Sequence, residues 1–474
     1  MELTLSAMAQ LLHSSWMGPK ASGRLRVKLC TDSRLMVSGQ VFWALRGPNF
    51  DGHGFVEQSL QKGGIAAVVD MEWFLQNPPK DREVKVYIPV GDTQQALQDL
   101  AKAYGARFRI PKIGVTGSNG KTTTKDMIAS VLRRAGKTLA TEGNFNNHIG
   151  VPLTLFGLRR HHRFAVLEMG TNHPGEIRLL SEMACPTMAV VTNIGQSHLE
   201  FFGTKEAVRD EKLTIAAGFP RMGTLFLNVD DPLLCDVRPP AGTKCRIVTF
   251  GIHRGQVRPD QLSIGADGCA TFRIGRTDFR LRTPGMHNVY NALAAIAIAI
   301  HLRIPKSVAA EALAAFSPPK FRMQVKRLGS VTILDDCYNA NPSSMRSALD
   351  TLSSFQPEGR RIAVLGDMLE LGKDSETMHK EMGRYIAESG VDILFTFGTL
   401  SRHLNQGARD KGLPRKNARH FSDFDLMSSE LASELQSGDV LVVKGSRGMR
   451  LERVYETLHT RAKAGALQHL GEVK

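Results

Sequence analysis

Short apolar runs separated by amphipathic stretches recur along the chain, and their spacing divides it into three sections. Residues 1–108 are mixed, with "VFWAL" and "IAAVV" reading as short strands and "TQQALQDLAKAYGARF" as a helix ahead of Pro111. From 109 to 317 strands and helices alternate through "KIGVTG", "FAVLEMG", "TMAVVTNIG", "GTLFLNVDD" and "RIVTFG", the pattern of a parallel sheet covered by helices on both faces. After "SPPK" at 317–320 the pattern restarts with "VTILDDCYNANP", "RIAVLGDM", "DILFTFG" and "DVLVVKGSRG". The expected class is α/β in three domains: a small mixed domain over 1–108, a central parallel-sheet domain over 109–317, and a Rossmann-like domain over 318–474. The longest apolar run, "ALAAIAIAI" from Ala292, is far short of the roughly 20 residues that span a bilayer and predicts a buried helix.

One stretch carries chemistry by its order alone. In "IGVTGSNGKTTTK", residues 113–125, a strand expected over 110–116 leads through a glycine loop into a helix expected over 122–135. Met127, Ile128, Val131, Leu132 and Ala135 share one face of that helix, and Gly136 is its stop. Backbone N–H groups and the helix dipole favour an anion at such a junction, and phosphate is the obvious one. Gly117 and Gly120 allow close approach, Lys121 neutralises phosphate charge, and the Thr122 hydroxyl suits the magnesium that accompanies a nucleoside triphosphate. Val115 stands five places before Gly120 where the strict G-x-x-x-x-G-K-[ST] spacing needs glycine, so the loop is a shortened variant. A plain glycine turn is the alternative, disfavoured because strand, glycines, lysine, hydroxyl and helix come in the required order. The central section is therefore expected to be P-loop ATPase-like, with ATP and Mg2+ as its ligands.

Polar residues gather where the expected strands end: Glu168, Asn193 and His198 in the central section, Asp335, Asp336, Asp367 and Lys444 in the last. Ligands of α/β sheets lie beyond the carboxyl ends of the strands, so the set predicts a cleft between those two sections.

Composition narrows the context. Hydrophobic residues at 42% and charged residues at 23% are globular values, without repeats or low-complexity tracts. The start, "MELTLSAMAQLLHSSW", is acidic where an export signal would be basic, which argues against secretion. The six cysteines form no C-x-x-C pair and no metal spacing, and read as reduced thiols of a cytoplasmic protein. A net charge of +15 admits a nucleotide-dependent nucleic-acid-binding protein, but the basic residues are dispersed and no recognition module is visible. Attraction of a polyanionic small molecule explains the charge equally well.

The loop and the strand ends together resemble the Mur ligases, the ATP-dependent amino acid ligases of peptidoglycan precursor synthesis. The resemblance covers essentially the whole chain. It rests on "TDSR" at 31–34, "GQVFWALRG" at 39–47 and "FDGHGF" at 50–55; on "GSNGKTTTK", "GNFNNHIGVPLTL", "EMGTNHPGEI", "TNIGQSHLEFFG" and "HNVYNALAA"; and on "DDCYNANPSSM", "LGDMLELG" and "KGSRGMRLE". "YNANP" and "LGDMLELG" point to the branch that adds D-alanyl-D-alanine to UDP-N-acetylmuramoyl-tripeptide, ahead of sister ligases that add one amino acid or extend folate with glutamate.

The resemblance implies that ATP converts a peptide carboxylate to an acyl phosphate, which the incoming amine attacks. It implies that Gly117, Ser118, Asn119, Gly120 and Lys121 hold the phosphates, and that Thr122 and Glu168 bind magnesium. His198 would bind a second magnesium, and Lys212 would be carbamylated by carbon dioxide, although Thr214 stands where relatives often carry an acid. Asn288 and Asn291 would face adenine, Asp336 the ribose, Asn339 the nucleotide pocket, and Arg322 the phosphates. Ser33, Arg34, Asp51 and His53 would bind the uridine diphosphate half, with Gly54 departing from the acidic residue frequent there. Asn146, Asn147, Lys444, Ser446 and Arg447 would line the path of the peptide carboxylate or the dipeptide. A cytoplasmic monomer acting on small molecules, with no nucleic acid and no membrane insertion, is the expected setting, opening and closing around its ligands. A non-catalytic scaffold is disfavoured by the joint presence of Lys121, Thr122, Glu168 and His198.

Overall fold

The computed structural model describes residues 1–78, 85–238 and 242–471. In the first section four parallel strands line up as Leu29–Cys30, Val41–Trp43, Ala66–Asp70 and Tyr87–Val90. The middle strands are buried on both faces, which is why they read as continuous apolar runs. Trp43 is fully buried and its indole N–H donates to Thr93 O at 2.8 Å, tying the sheet to the Thr93–Ala106 helix.

The central sheet is parallel throughout, in the order Cys245–Phe250, Gly223–Asn228, Met188–Val191, Lys112–Thr116, Phe164–Glu168 and Thr138–Ala140. The glycine loop leaves the Lys112–Thr116 strand near the middle of this sheet, where chain order reverses between neighbours, the usual ligand position. That strand starts two residues later than expected and the following helix, Lys121–Ala135, one residue earlier. Met127, Ile128, Val131 and Leu132 of the helix are buried in the same core as the Met286–His301 helix, whose small and branched residues are buried nearly all round. Among the described residues no helix is long and apolar enough to cross a membrane.

The first and central sections share one hydrophobic core, which runs from Leu5, Trp43 and Tyr104 to Leu155, Ile177 and Leu227. Lys112 reinforces the junction. Its buried ammonium donates to Gly105 O at 3.0 Å and Ala184 O at 3.1 Å, at the C-terminal ends of two helices whose dipoles favour a cation there. Burial lowers its pKa from the ordinary lysine value.

Two features depart from the sequence expectation. Residues 261–280 form a three-stranded antiparallel sheet inside the central section, Gln261–Ile264, Ala270–Ile274 and Thr277–Arg280, with Phe272 and Phe279 stacked at 5.1 Å. The last section is a six-stranded sheet ordered Gln324–Leu328, Val331–Asp335, Val440–Lys444, Arg361–Gly366, Ile393–Phe397 and Ala418–Phe421, and its first strand is an antiparallel edge on an otherwise parallel sheet. All six cysteines carry free thiols.

Candidate active site

The loop is shaped by its two glycines and fixed by its neighbours. Gly117 has φ +147° and Gly120 φ +77°, and a Cβ on Gly117 would stand 1.8 Å from Thr192 Oγ1. Ser118 N–H donates to Asn193 O at 2.9 Å, Asn119 N–H to Asn193 Oδ1 at 3.0 Å, and Thr192 Oγ1 to Asn119 O at 2.6 Å. Ser118 Oγ accepts from Gly195 N at 2.8 Å. The loop is thus wired to the segment that follows the Met188–Val191 strand. Lys121 Nζ reaches back over it, donating to Gly117 O at 2.8 Å and Ser118 O at 3.3 Å. Burial lowers the pKa of this ammonium, Glu168 opposes the shift and Arg322 adds to it, so both side chains lie within electrostatic reach. Thr122 is buried in the first turn of the helix.

Glu168 ends the adjacent strand and is buried. Its Oε1 accepts from Asn146 Nδ2 at 2.7 Å, whereas its buried Oε2 has no hydrogen-bond partner. An orphaned carboxylate oxygen beside a phosphate loop suits a hard cation. His198 sits in left-handed backbone at φ 55°, and burial, with Lys121 and Lys212 contributing, lowers its pKa to about 4. Its ring is therefore neutral at pH 7, the state that ligates metals. His198 Nδ1 lies 3.1 Å from Glu370 Oε2 of the last section, but off the line of a hydrogen bond, so that nitrogen remains unpartnered. Among the described residues no three His, Cys, Asp or Glu side chains form a ready-made cage.

Lys212, in the Lys205–Leu213 helix, is 2% exposed. Burial, then Lys121, pushes its pKa well below the lysine value, opposed by Glu211. The Glu211 carboxylate is already engaged, accepting from Gly175 N and Ile177 N, both at 2.8 Å, at the start of the Glu176–Ala184 helix.

Several expected ligand residues have other partners. Asn288 and Asn291 are buried: Asn288 Nδ2 donates to Pro284 O at 2.8 Å, Asn291 Nδ2 to Asn288 Oδ1 at 3.0 Å, and Thr124 Oγ1 to Asn291 Oδ1 at 2.9 Å. Their amides join the two central helices. Lys444, 3% exposed, donates to Asp336 Oδ2 at 2.6 Å and Asn339 O at 2.9 Å, and Asp336 Oδ1 accepts from Met323 N at 3.0 Å. Ser446 is buried, donating to Ala340 O and accepting from Leu369 N. Asn147 Oδ1 caps the Gly150–Leu155 helix through Gly150 N at 2.8 Å. Arg447 pairs with Glu452 at 2.9 Å, and the Arg322 guanidinium lies 3.9 Å from the Tyr338 ring centroid.

In the first section His53 is 2% exposed, with Nδ1 2.6 Å from Asp51 Oδ1 and Nε2 accepting from Asp70 N at 2.9 Å. It organises the "FDGHGF" turn. Asp51 also takes Arg46 at 3.1 Å, the Ser33 carbonyl accepts from Lys62, and Arg34, with its side chain 86% exposed, pairs with Asp32 at 2.7 Å.

Other participants were not foreseen from sequence. Asn341 and Ser343 of the last section bond directly to Asn119. A cavity of about 670 Å³ opens beside His198, lined by Leu199, Glu200, Leu369, Glu370, Lys373 and Leu400 of both sections. Its signal lay in "LGDMLELG", whose Glu370 has φ 62°, a conformation that a non-glycine residue adopts at a cost and that marks functional loops. A second cavity, bordered by Asp267, Cys269 and Arg280, lies at the antiparallel sheet and has no part in the loop.

Comparisons with known proteins follow this geometry. Residues 28–105 match the Mur ligase family catalytic domain, 115–299 the Mur ligase middle domain, and 321–447 the Mur ligase glutamate ligase domain. The UDP-N-acetylmuramoyl-tripeptide--D-alanyl-D-alanine ligase of Bacillus subtilis (strain 168) is 37% identical over 96% of this chain and 98% of its own. The crystal structure of MurF from Acinetobacter baumannii superposes with a TM-score of 0.86 at 30% identity, covering 97% of this chain and 99% of that one. MurF ligase from Thermotoga maritima in complex with ADP gives 0.81 at 28% identity, covering 93% and 99%. With its architecture, its loop and near-complete coverage by relatives of this kind in agreement, the chain belongs to the Mur ligase family.

Proposed function

We propose that the chain is an ATP-dependent ligase joining D-alanyl-D-alanine to the peptide carboxylate of UDP-N-acetylmuramoyl-tripeptide, yielding the UDP-linked pentapeptide, ADP and phosphate. The observation that carries the chemistry is the loop itself, with Lys121 reaching back over it and the orphaned Glu168 oxygen and neutral His198 beside it. The relatives' printed names supply the substrates.

Transfer of a phosphoryl group to a carboxylate brings negative charge against negative charge, so the protein's main contribution is preorganised positive charge and N–H donors. The loop of 117–121 wraps the β and γ phosphates with N–H groups other than those of Ser118 and Asn119, which Asn193 holds, and Lys121 exchanges its two carbonyl partners for phosphate oxygens. Thr122, Glu168 and His198 would hold magnesium, which when bound neutralises charge on the transferring group. Arg322 adds charge from the last section. The carboxylate oxygen takes the γ-phosphoryl group and ADP leaves. The dipeptide amine then attacks the acyl carbon, its N–C bond forms as phosphate departs, and its proton is released.

Burial and the neighbouring Lys121 lower the Lys212 pKa well below the ordinary lysine value, which favours the neutral amine, the form whose nitrogen attacks carbon dioxide, losing a proton to give a carbamate. That reversal of charge beside Lys121 suits magnesium.

The reactants divide among sections 1–108, 109–317 and 318–474. Ser33 and the exposed Arg34 of "TDSR", with the turn organised by Asp51 and His53, take the uridine diphosphate end. Asn146, beside Glu168, and Arg447 guide the peptide carboxylate. Asn288, Asn291, Asp336, Asn339, Lys444 and Ser446 shape the nucleotide side indirectly, through the helix joints and the Lys444–Asp336 pair. The dipeptide suits the cavity beside His198: Leu199, Leu369 and Leu400 for its methyl groups, Glu370 for the ammonium before reaction, and Lys373 for the carboxylate.

The test is phosphate release from ATP with UDP-N-acetylmuramoyl-tripeptide, with and without D-alanyl-D-alanine, followed by product mass. Release dependent on the dipeptide and a product heavier by one dipeptide residue pair support the reading. Absence of both, with magnesium and all reactants present, refutes it.

A further inference from the structure

Asn119 lies within the phosphate loop, yet its side chain belongs to another interaction. Its backbone is fixed to the central sheet: the N–H donates to Asn193 Oδ1 at 3.0 Å, and the carbonyl accepts from Thr192 Oγ1 at 2.6 Å and Asn193 Nδ2 at 3.1 Å. Its carboxamide crosses to the last section. Nδ2 donates to Ser343 Oγ at 2.7 Å, and Oδ1 accepts from Asn341 Nδ2 at 2.9 Å. All the polar groups of Asn119 are thereby engaged, half by each section.

The receiving surface is itself rigid. Asn341 and Ser344 form a reciprocal capping box at the start of the 13-residue Pro342–Ser354 helix, with Ser344 N donating to Asn341 Oδ1 at 2.9 Å and Asn341 N to Ser344 Oγ at 3.0 Å. Ser343 Oγ donates in turn to Asn341 Oδ1 at 3.0 Å. The Gly195 backbone approaches the Ser343 side chain closely here, since a Cβ on Gly195 would stand 2.8 Å from Ser343 Oγ. The Asn119–Ser343 bond joins residues 224 positions apart in the chain, so it forms only when the last section is seated against the central one.

We propose that Asn119 and Ser343 are positioning residues that clamp the phosphate loop to the start of the Pro342–Ser354 helix, so that loop shape and seating of the last section are set together. The proposal rests on the reading of residues 117–122 as the nucleotide loop. Each net hydrogen bond is worth a factor of about 5 in the equilibrium between seated and released forms. Removing the Asn119 carboxamide, which makes two such bonds, shifts that equilibrium by about 5- to 30-fold.

The test uses the full chain and three single variants, Ser343→Ala, Ser343→Thr and Asn119→Ala, with the Ser343→Ala/Asn119→Ala double variant. Ser343 is the clean site because alanine is well tolerated in a first helical turn and Asn341 still caps the helix. Hydrogen exchange of the loop amides over 117–124 is read without any ligand, and ADP affinity and turnover are read separately. The expected result for Ser343→Ala is loop exchange faster by about 5-fold with exchange inside the Pro342–Ser354 helix unchanged, and restoration by Ser343→Thr, which keeps the hydroxyl. In the double variant the two effects should overlap, because each removes the same bond. Unchanged loop exchange in Ser343→Ala, failure of threonine to restore it, or strictly additive effects in the double variant would overturn the clamp. If exchange behaves as expected but no reactant set gives phosphate release, the ligase reading fails and the clamp stands.

Discussion

Gly117→Ala is the sharpest test of how the loop is built. The substitution imposes two separate costs. At φ +147° an alanine occupies backbone space that L residues rarely adopt, worth about 1–3 kcal/mol. Its Cβ would also stand 1.8 Å from Thr192 Oγ1, which must move and give up its 2.6 Å bond to Asn119 O. Loss of a bond at this part-buried position adds about 1–3 kcal/mol, for a total of about 2–6 kcal/mol. Much of that appears as local distortion, so ADP affinity should fall by at least about tenfold, since each 1.4 kcal/mol is a factor of ten. Thr192→Ala alone loses the hydroxyl bond and should cost about 1 kcal/mol. Combined with Gly117→Ala it also removes the nearest clash, so the double variant should be about 1–2 kcal/mol better than the sum of the singles. Calorimetric ADP binding and thermal unfolding of the four proteins measure this cycle. Additivity within about 0.5 kcal/mol would refute the proposed contact, because the two residues would then not be coupled.

Further outcomes follow from other parts of the molecule. Lys121→Ala should fold normally and lose about 10²- to 10³-fold in turnover, measured as phosphate release; unaltered turnover would remove the loop from the reaction. Lys373→Ala should raise KM for the dipeptide about 2- to 5-fold and leave KM for ATP unchanged, as expected for loss of an exposed partner of a carboxylate; equal change in both would move the dipeptide out of the cavity. For Lys212 the unfolded chain keeps its proton up to the ordinary lysine value of 10.5 while the folded chain releases it well below that, so folding releases a proton and stability rises with pH through this window. Lys212→Met should flatten that rise in buffers purged of carbon dioxide, followed by urea unfolding at stepped pH, and an identical slope in both proteins would contradict the burial argument. Asp439 is fully buried and accepts from Arg360 N at 2.8 Å and Arg360 Nη2 at 2.9 Å, while Arg360 also keeps Glu434 at 2.7 Å, so Asp439→Ala should destabilise the last section by about 1–3 kcal/mol in denaturant titrations. A loss under about 1 kcal/mol would show that the pair contributes little.

The parallel strands and the helices between them were legible because buried strands give continuous apolar runs and covering helices give a 3.6-residue period. The antiparallel strands of 261–280 were not, because each is only four or five residues long, too short for the strict buried–exposed alternation of Ala270–Ile274 to stand out in a polar stretch. At the site, Lys121, Glu168 and His198 stood out because each stands at a strand end or in a motif, whereas Lys212, inside a helix, was suggested only by the family resemblance. Their surroundings did not stand out. The engagement of Lys444 by Asp336 joins residues 108 positions apart, and the turning of the Asn119 carboxamide onto Ser343 depends on the meeting of two sections. A local pattern names the residue type and its strand, while the partner that consumes a hydrogen-bonding group is decided by tertiary packing.

The core shared by the first and central sections, pinned by Lys112 at two helix ends, has a kinetic consequence. These two sections travel as one body, whereas the last is joined through "SPPK" and meets them through polar contacts such as Asn119 with Ser343. On the proposed function, the nucleotide and the uridine-bearing substrate would therefore dock onto a prebuilt half-site whose relative spacing is already decided. The cavity proposed for the dipeptide borrows walls from both bodies and would be complete only after they meet. Binding should accordingly run in sequence, with the dipeptide last.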